Sequence, residues 1–144
     1  MEKLIAVVTG GTRGIGLGIA ASLLKRGASV ALTYHRDQIA ATKAAEYLGA
    51  YLKKDRQVIA LKCDNADPDA VGENYRRLSE TLGKVNVLVN NAGIMSQRSF
   101  EALRVSDWNA EQLETLVRPC STKKLLIYEL DTQLCTRLPW TFMI

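Results

Sequence analysis

A glycine-rich turn carries the clearest chemical signal in this sequence of 144 residues. Residues 9–16 read Thr-Gly-Gly-Thr-Arg-Gly-Ile-Gly, after an apolar run and before a segment with the pattern of a helix. Glycines in such a turn let the backbone fold sharply and let a ligand approach its N–H groups. The helix amino terminus adds about half a positive charge at the same point. The turn therefore predicts a pyrophosphate site; the alternative is a strand-to-helix turn that binds nothing.

Short polar segments follow each of the next three predicted strands. In an open α/β sheet, ligands bind beyond the carboxyl ends of the strands, so these segments are candidates for one common site. The segments are Tyr34-His35-Arg36, Cys63-Asp64-Asn65 and Asn90-Asn91-Ala92-Gly93. Together with the glycine turn, they predict a cleft for a dinucleotide.

The segment after the second strand bears on which nicotinamide cofactor fits. A site for NAD has an acidic residue here, which accepts hydrogen bonds from ribose hydroxyls, and Tyr34 occupies that place. Arg36, together with Arg13 from the glycine turn, can instead pair with a 2′-phosphate through charge-assisted hydrogen bonds. This pattern favours NADP(H) over NAD(H); the alternative is that both arginines are solvated surface cations. His35 is interpreted as an exposed turn residue or a minor neighbour of the phosphate.

Two of these motifs resemble signatures of the short-chain dehydrogenase/reductase family. The turn matches Thr-Gly-x-x-x-Gly-x-Gly, and residues 90–93 match Asn-Asn-Ala-Gly. The resemblance runs from about Lys3 to Asn109. Within the family, this part of the sequence is similar to 3-oxoacyl-acyl-carrier-protein reductases. It implies a Rossmann-like fold and an oxidoreductase that reduces a carbonyl or oxidises a secondary alcohol with NADP(H).

The resemblance also implies a role for each group of site residues. The turn forms the phosphate cradle, Asp64 and Asn65 contact the adenine, and the Asn-Asn-Ala-Gly segment approaches the nicotinamide ribose and ties neighbouring strands. The alternatives are that Asp64 only caps a loop and that the asparagine pair is purely structural. The predicted cofactor-binding residues are Gly10, Thr12, Arg13, Gly14, Ile15, Gly16, Arg36, Asp64, Asn65, Asn91, Ala92 and Gly93.

Alternating strands and helices must position these residues. Nearly continuous apolar runs predict four parallel strands covered on both faces, at 4–8, 29–34, 57–63 and 85–89. Helices are predicted after the glycine turn, after Asp37 as N-cap, and after Asp67 with Pro68 as the first helical residue. Apolar residues recur at helical spacing in the second and third helices, at Ile39, Ala40, Ala44, Tyr47, Leu48 and Leu52 and at Val71, Tyr75, Leu78 and Leu82. The predicted architecture is a doubly wound α/β sheet.

Composition is that of an ordinary globular chain. With 47% apolar and 24% charged residues, the length suits one domain. The net charge of +4 is spread along the chain and interleaved with acids, which argues against a nucleic-acid partner. The sequence has neither a secretory signal nor a membrane span, and its three cysteines form no C-x-x-C pair, so we expect a cytoplasmic protein without a metal site.

The family pattern stops near residue 110, and residues 110–144 form an atypical tail after the cofactor-binding portion, residues 1–109. Family members use a tyrosine as proton donor with a lysine four residues later, but here Tyr128 is followed at that spacing by Thr132. No catalytic residue is therefore assigned. The expected sheet is truncated after about four strands, which predicts marginal stability or self-association through an apolar edge. The alternative to a carbonyl reductase is an inactive truncated or splice product that binds nucleotide or a full-length relative, and a homo-oligomer is a further expectation.

Overall fold

A computed structural model describes residues 3–65, 67–93, 102 and 104–107. Strands and helices alternate along these residues. The strands are β1 (Ile5–Val8), β2 (Ser29–Tyr34), β3 (Val58–Lys62) and β4 (Val87–Val89). The helices are α1 (Gly14–Lys25), α2 (Gln38–Gly49) and α3 (Pro68–Thr81). The predicted order of elements is confirmed, and strand ends differ from the prediction by at most two residues. The predicted tail, residues 110–144, lies outside the described residues.

The strands form one parallel sheet in the order β3-β2-β1-β4. From β1 the chain winds outward through β2 to β3, and it then crosses back to place β4 on the other side of β1. The chain therefore moves along the sheet in one direction from β1 to β3 and in the opposite direction from β3 to β4. Such a reversal opens a crevice beyond the carboxyl ends of the two strands that flank it. Here these ends are Val8 in β1 and Val89 in β4, which pair with each other.

The two central strands, β1 and β2, are buried on both faces, as their continuous apolar runs predict, whereas β3 and β4 are mostly half-buried. One core joins α1 and α2 to the sheet through fully buried side chains such as Leu24, Leu32 and Leu48. The other joins α3 to the opposite face, where Leu78 and Leu82 pack with Ile5 and other strand residues. Burial of a leucine of this kind contributes about 1.5–3 kcal/mol. The two cores fix all three helices relative to β1, the strand that leads into the glycine turn.

Both predicted aspartate caps are present. Asp37 accepts a hydrogen bond from the backbone N–H of Ala40 at the start of α2, and Asp67 accepts from the N–H groups of Asp69 and Ala70 at the start of α3. These bonds satisfy amides that have no partner within the helix. The first turn of each helix is therefore held to the loop before it, which follows β2 or β3.

The apolar positions predicted for α2 are confirmed only in part, since Ala44 and Leu48 are buried and others are not. Ile39 and Tyr47 are 70% and 52% exposed, and Leu52 beyond the helix end is also exposed. The core-facing residues are Ala41, Ala44 and Leu48. Small side chains on this face allow α2 to pack closely on α1 and the sheet. By contrast, the predicted face of α3 is confirmed, with Val71, Leu78 and Leu82 buried and Tyr75 packed against them.

None of the helices in the described part of the chain is both long enough and apolar enough to span a bilayer.

Candidate functional site

A cleft of about 580 Å³ lies at the carboxyl ends of the strands. All of the predicted cofactor-binding residues line it, from the turn after β1, the loops after β2 and β3, and the segment after β4. Five further residues complete its wall: Thr33, Tyr34, His35, Asp37 and Cys63. Residues from four separate parts of the sequence thus meet at one place, as the sheet topology requires.

Two positions of the glycine turn lie too close to the segment after β4 to carry side chains. A Cβ added to Gly16 would lie 2.5 Å from Asn91 Nδ2 and 2.8 Å from the carbonyl oxygen of Gly10. At Gly10, where φ is +62°, an added Cβ would lie 3.0 Å from Ala92 Cα. Glycine is needed at both positions because the turn passes directly against the segment after β4.

Thr9 and Asn91 hold the glycine turn and the segment after β4 together. The Thr9 hydroxyl accepts hydrogen bonds from the N–H groups of Asn91 and Ala92, each at 3.0 Å. The Asn91 amide donates to the carbonyl oxygens of Thr9, at 2.9 Å, and Gly10, at 3.2 Å. The prediction that the asparagine segment ties neighbouring strands is confirmed for Asn91. The bridging role of Thr9 was missed, although its place directly after β1 in the motif was the available signal.

The amino terminus of α1 is left open toward the cleft. Its N-cap, Arg13, makes no side-chain capping bond, and its first turn contains no acidic residue. The starts of α2 and α3 are capped by aspartates, so α1 is the exception among these three helices. An added Cβ on Gly14 meets nothing within 4 Å, so there is room beside this turn. An anionic group such as a pyrophosphate fits here, because it can accept bonds from the open amides and interact with the helix dipole.

Three side chains from the loop after β2 and the glycine turn form one end of the cleft. Arg13 Nη2 donates to Asp37 Oδ2 at 2.9 Å, and the exposed side chain of Arg36 lies in the same wall. The position where an NAD site has an acid is taken by Tyr34, which is buried and donates a hydrogen bond to Gln38. Tyr34 thus lies where the sequence placed it, but this end of the cleft does contain a carboxylate. Asp37 supplies one from three positions later, and sequence reasoning had treated it only as a helix cap.

His35 and Cys63 occupy the wall between the ends of β2 and β3. His35 Nε2 lies 3.7 Å from Asp64 Oδ2, an ion pair when the imidazole is protonated. The side chain of His35 is half exposed, in agreement with its interpretation as a turn residue. Burial raises the pKa of the Cys63 thiol to about 11, with a further contribution from the negative charges of Asp64 and Asp67. Cys63 is therefore a neutral group near pH 7.

The sheet order and the cleft at its point of reversal define a Rossmann-like α/β protein. Within this class, the model of the short chain dehydrogenase family matches residues 4–116. The chain belongs to that family. The match extends seven residues past Asn109, where the resemblance recognised from the sequence ends.

Individual relatives agree with this membership. The chain is 38% identical over 100 residues to L-rhamnose 1-dehydrogenase (NADP(+)) of Thermoplasma acidophilum, covering 69% of this chain and 38% of that protein. It is 35% identical over 108 residues to 3-oxoacyl-[acyl-carrier-protein] reductase of Salmonella typhimurium, covering 75% of this chain and 41% of that protein. The predicted similarity to the latter enzymes is confirmed.

The fold is shared with solved structures of the same family. A short chain dehydrogenase from Burkholderia cenocepacia, solved in complex with NADP, has a TM-score of 0.76 and 33% identity, and the match covers 96% of this chain and 59% of that one. The chain thus spans about two fifths of the length of the curated relatives above and about three fifths of this structure.

Proposed function

We propose that this chain is the NADP(H)-binding portion of an oxidoreductase that interconverts a carbonyl compound and a secondary alcohol. The observation that carries the proposal is the uncapped amino terminus of α1, which opens into a cleft beside Arg13 and Arg36. A dinucleotide with an additional phosphate matches both features. The relative named for NADP(+) and the family structure solved with NADP support the choice of cofactor.

Each part of the cleft has a role in this proposal. The turn from Gly10 to Gly16 holds the pyrophosphate, and Arg36 with Arg13 pairs with the 2′-phosphate. Asp64 and Asn65 contact the adenine, and residues 91–93 leave room for the nicotinamide ribose. When bound, NADP(H) supplies or accepts a hydride at its nicotinamide ring. The chain's own contribution is to bind and orient the cofactor at the reversal of the sheet.

Carbonyl reduction also needs a proton donor, and a Tyr-x-x-x-Lys pair is not found in these 144 residues. For the 144 residues taken by themselves, this observation favours a second candidate function, binding of a nucleotide, or of a full-length relative, without turnover. The two candidates share the cofactor site and differ in catalysis. Steady oxidation of NADPH with a panel of ketones would support the first, and binding without turnover would support the second.

Titration of the 144-residue chain with NADPH, monitored through the fluorescence of NADPH, tests the cofactor site that the two candidate functions share. We expect saturable binding, and we expect Arg36→Ala to weaken NADPH binding about tenfold, because one charge-assisted contact to the phosphate is lost. NADH binding should change little. Arg77→Ala is the matched control, since Arg77 is exposed on α3 and does not line the cleft. Absence of binding by the unaltered chain, or equal loss in both variants, would refute the site.

A further inference from the structure

The end of the cleft that holds Arg13 and Arg36 also contains a carboxylate. Both oxygens of Asp37 are engaged: Oδ1 accepts from the N–H of Ala40 at 2.9 Å, and Oδ2 accepts from Arg13 Nη2 at 2.9 Å. Asp37 is therefore fixed at the start of α2 while it faces the glycine turn. Its side chain is 46% exposed and lines the cleft, so its charge is open to a ligand there.

This carboxylate has opposite effects on the two nicotinamide cofactors. A 2′-phosphate carries negative charge, so it is repelled by Asp37 and competes with it for Arg13. A 2′-hydroxyl is neutral and can donate a hydrogen bond to a carboxylate. The ion pair thus offsets one of the two cations that favour the phosphate, and it leaves the hydroxyl form undisturbed.

We infer that Asp37 is a specificity-determining residue that reduces the preference of this cleft for NADP(H) over NAD(H). The inference rests on the proposed function, because it assumes that the adenosine end of the cofactor binds between Arg13 and Arg36. Of the two arginines at this end, Arg13 is paired with Asp37, and Arg36 has no pairing with that carboxylate. The cleft accepts both cofactors more evenly than its two arginines alone would suggest.

Asp37→Asn separates the charge of this residue from its role in the helix. Asparagine is as good an N-cap as aspartate, so the bond to the N–H of Ala40 is retained while the negative charge is lost. Asp67→Asn is the matched control, because Asp67 caps α3 in the same way and does not line the cleft. Circular dichroism of both variants should match that of the unaltered chain.

The measurement is the ratio of the dissociation constants for NADH and NADPH, obtained for each protein at low and high salt. We expect Asp37→Asn to tighten NADPH binding about tenfold and to change NADH binding less than about threefold. Because the effect is electrostatic, it should shrink at high salt. Asp67→Asn should leave the ratio unchanged.

Three results would decide against the inference. Weaker NADPH binding by Asp37→Asn would mean that Asp37 holds Arg13 in place for the phosphate. An unchanged ratio would mean that its charge does not reach the ligand. If the unaltered chain binds neither nucleotide, the proposed function fails and the inference fails with it. If the unaltered chain binds and Asp37→Asn leaves the ratio of the two dissociation constants unchanged, only the inference is rejected.

Discussion

Replacement of Gly16 by alanine tests whether the close contact between the glycine turn and the segment after β4 forms the site. Alanine is favoured over glycine in a helix by about 1 kcal/mol. At Gly16, however, the new methyl group would lie 2.5 Å from Asn91 Nδ2 and 2.8 Å from the Gly10 carbonyl oxygen. Overpacking of this kind costs about 1–3 kcal/mol, and displacement of the Asn91 amide would remove two hydrogen bonds of about 1 kcal/mol each. After the gain in helix propensity is subtracted, the expected net loss of stability is about 2–4 kcal/mol.

Gly18 provides the matched control on the same helix. It is exposed, and an added Cβ meets nothing within 4 Å, so Gly18→Ala should raise stability by up to about 1 kcal/mol. Thermal unfolding followed by circular dichroism should place the midpoint of Gly16→Ala about 8 °C below that of the unaltered chain. NADPH binding should be lost in Gly16→Ala and retained in Gly18→Ala. Equal midpoints and equal binding for the two variants would refute the argument from close packing.

Further predictions concern two residues around the sheet, Asn86 and Cys63. Asn86 Oδ1 accepts a hydrogen bond from the backbone N–H of Ile5 at 2.8 Å. Asn86→Ala should lower the free energy of unfolding in urea by about 1–3 kcal/mol, because the Ile5 N–H loses its partner. An unchanged urea midpoint would contradict this. Cys63 should resist iodoacetamide in the folded chain at about pH 9, where an ordinary thiol reacts, since its pKa is raised to about 11. The raised pKa of Cys63 contributes stability that is fully present below about pH 8.5 and is lost as the pH rises through about 11. The difference in free energy of unfolding between the unaltered chain and Cys63→Ala should therefore narrow across that range. Peptide mass spectrometry separates its labelling from that of Cys120 and Cys135, and rapid labelling of Cys63 without denaturant would contradict its burial.

The sheet and the position of the cleft could be predicted because local patterns and topology agree. Continuous apolar runs indicate parallel strands with both faces covered, and β2 begins and ends at the predicted residues. The starts of α2 and α3 were marked by aspartates whose capping bonds are present. Once the strand order is known, residues that follow the strands must meet at one edge. That is why residues as distant as Arg13 and Asn91 could be assigned to one site.

Details that depend on contacts between distant segments could not be predicted. The apolar residues of α2 are compatible with more than one buried face. In the structure the face with Ala41 and Leu48 is buried, because α2 packs closely on the sheet. Tyr47 remains outside, where its hydroxyl contacts that of Tyr51 at 3.0 Å. Asp37 carries a local signal as a helix cap, whereas its bond to Arg13 spans 24 positions of the sequence and leaves no local pattern.

The bonds between Thr9 and the segment after β4 have a consequence for the order of events during synthesis. They join residues 82 and 83 positions apart, so the glycine turn leaves the ribosome long before its partner exists. At ribosomal rates of about 5–20 residues per second, β1 and β2 can pair roughly 3–12 s before residue 93 emerges. During that interval one edge of β1 is open, and the phosphate cradle lacks one wall. Under the proposed function, a nucleotide would therefore act late, by stabilising the finished sheet.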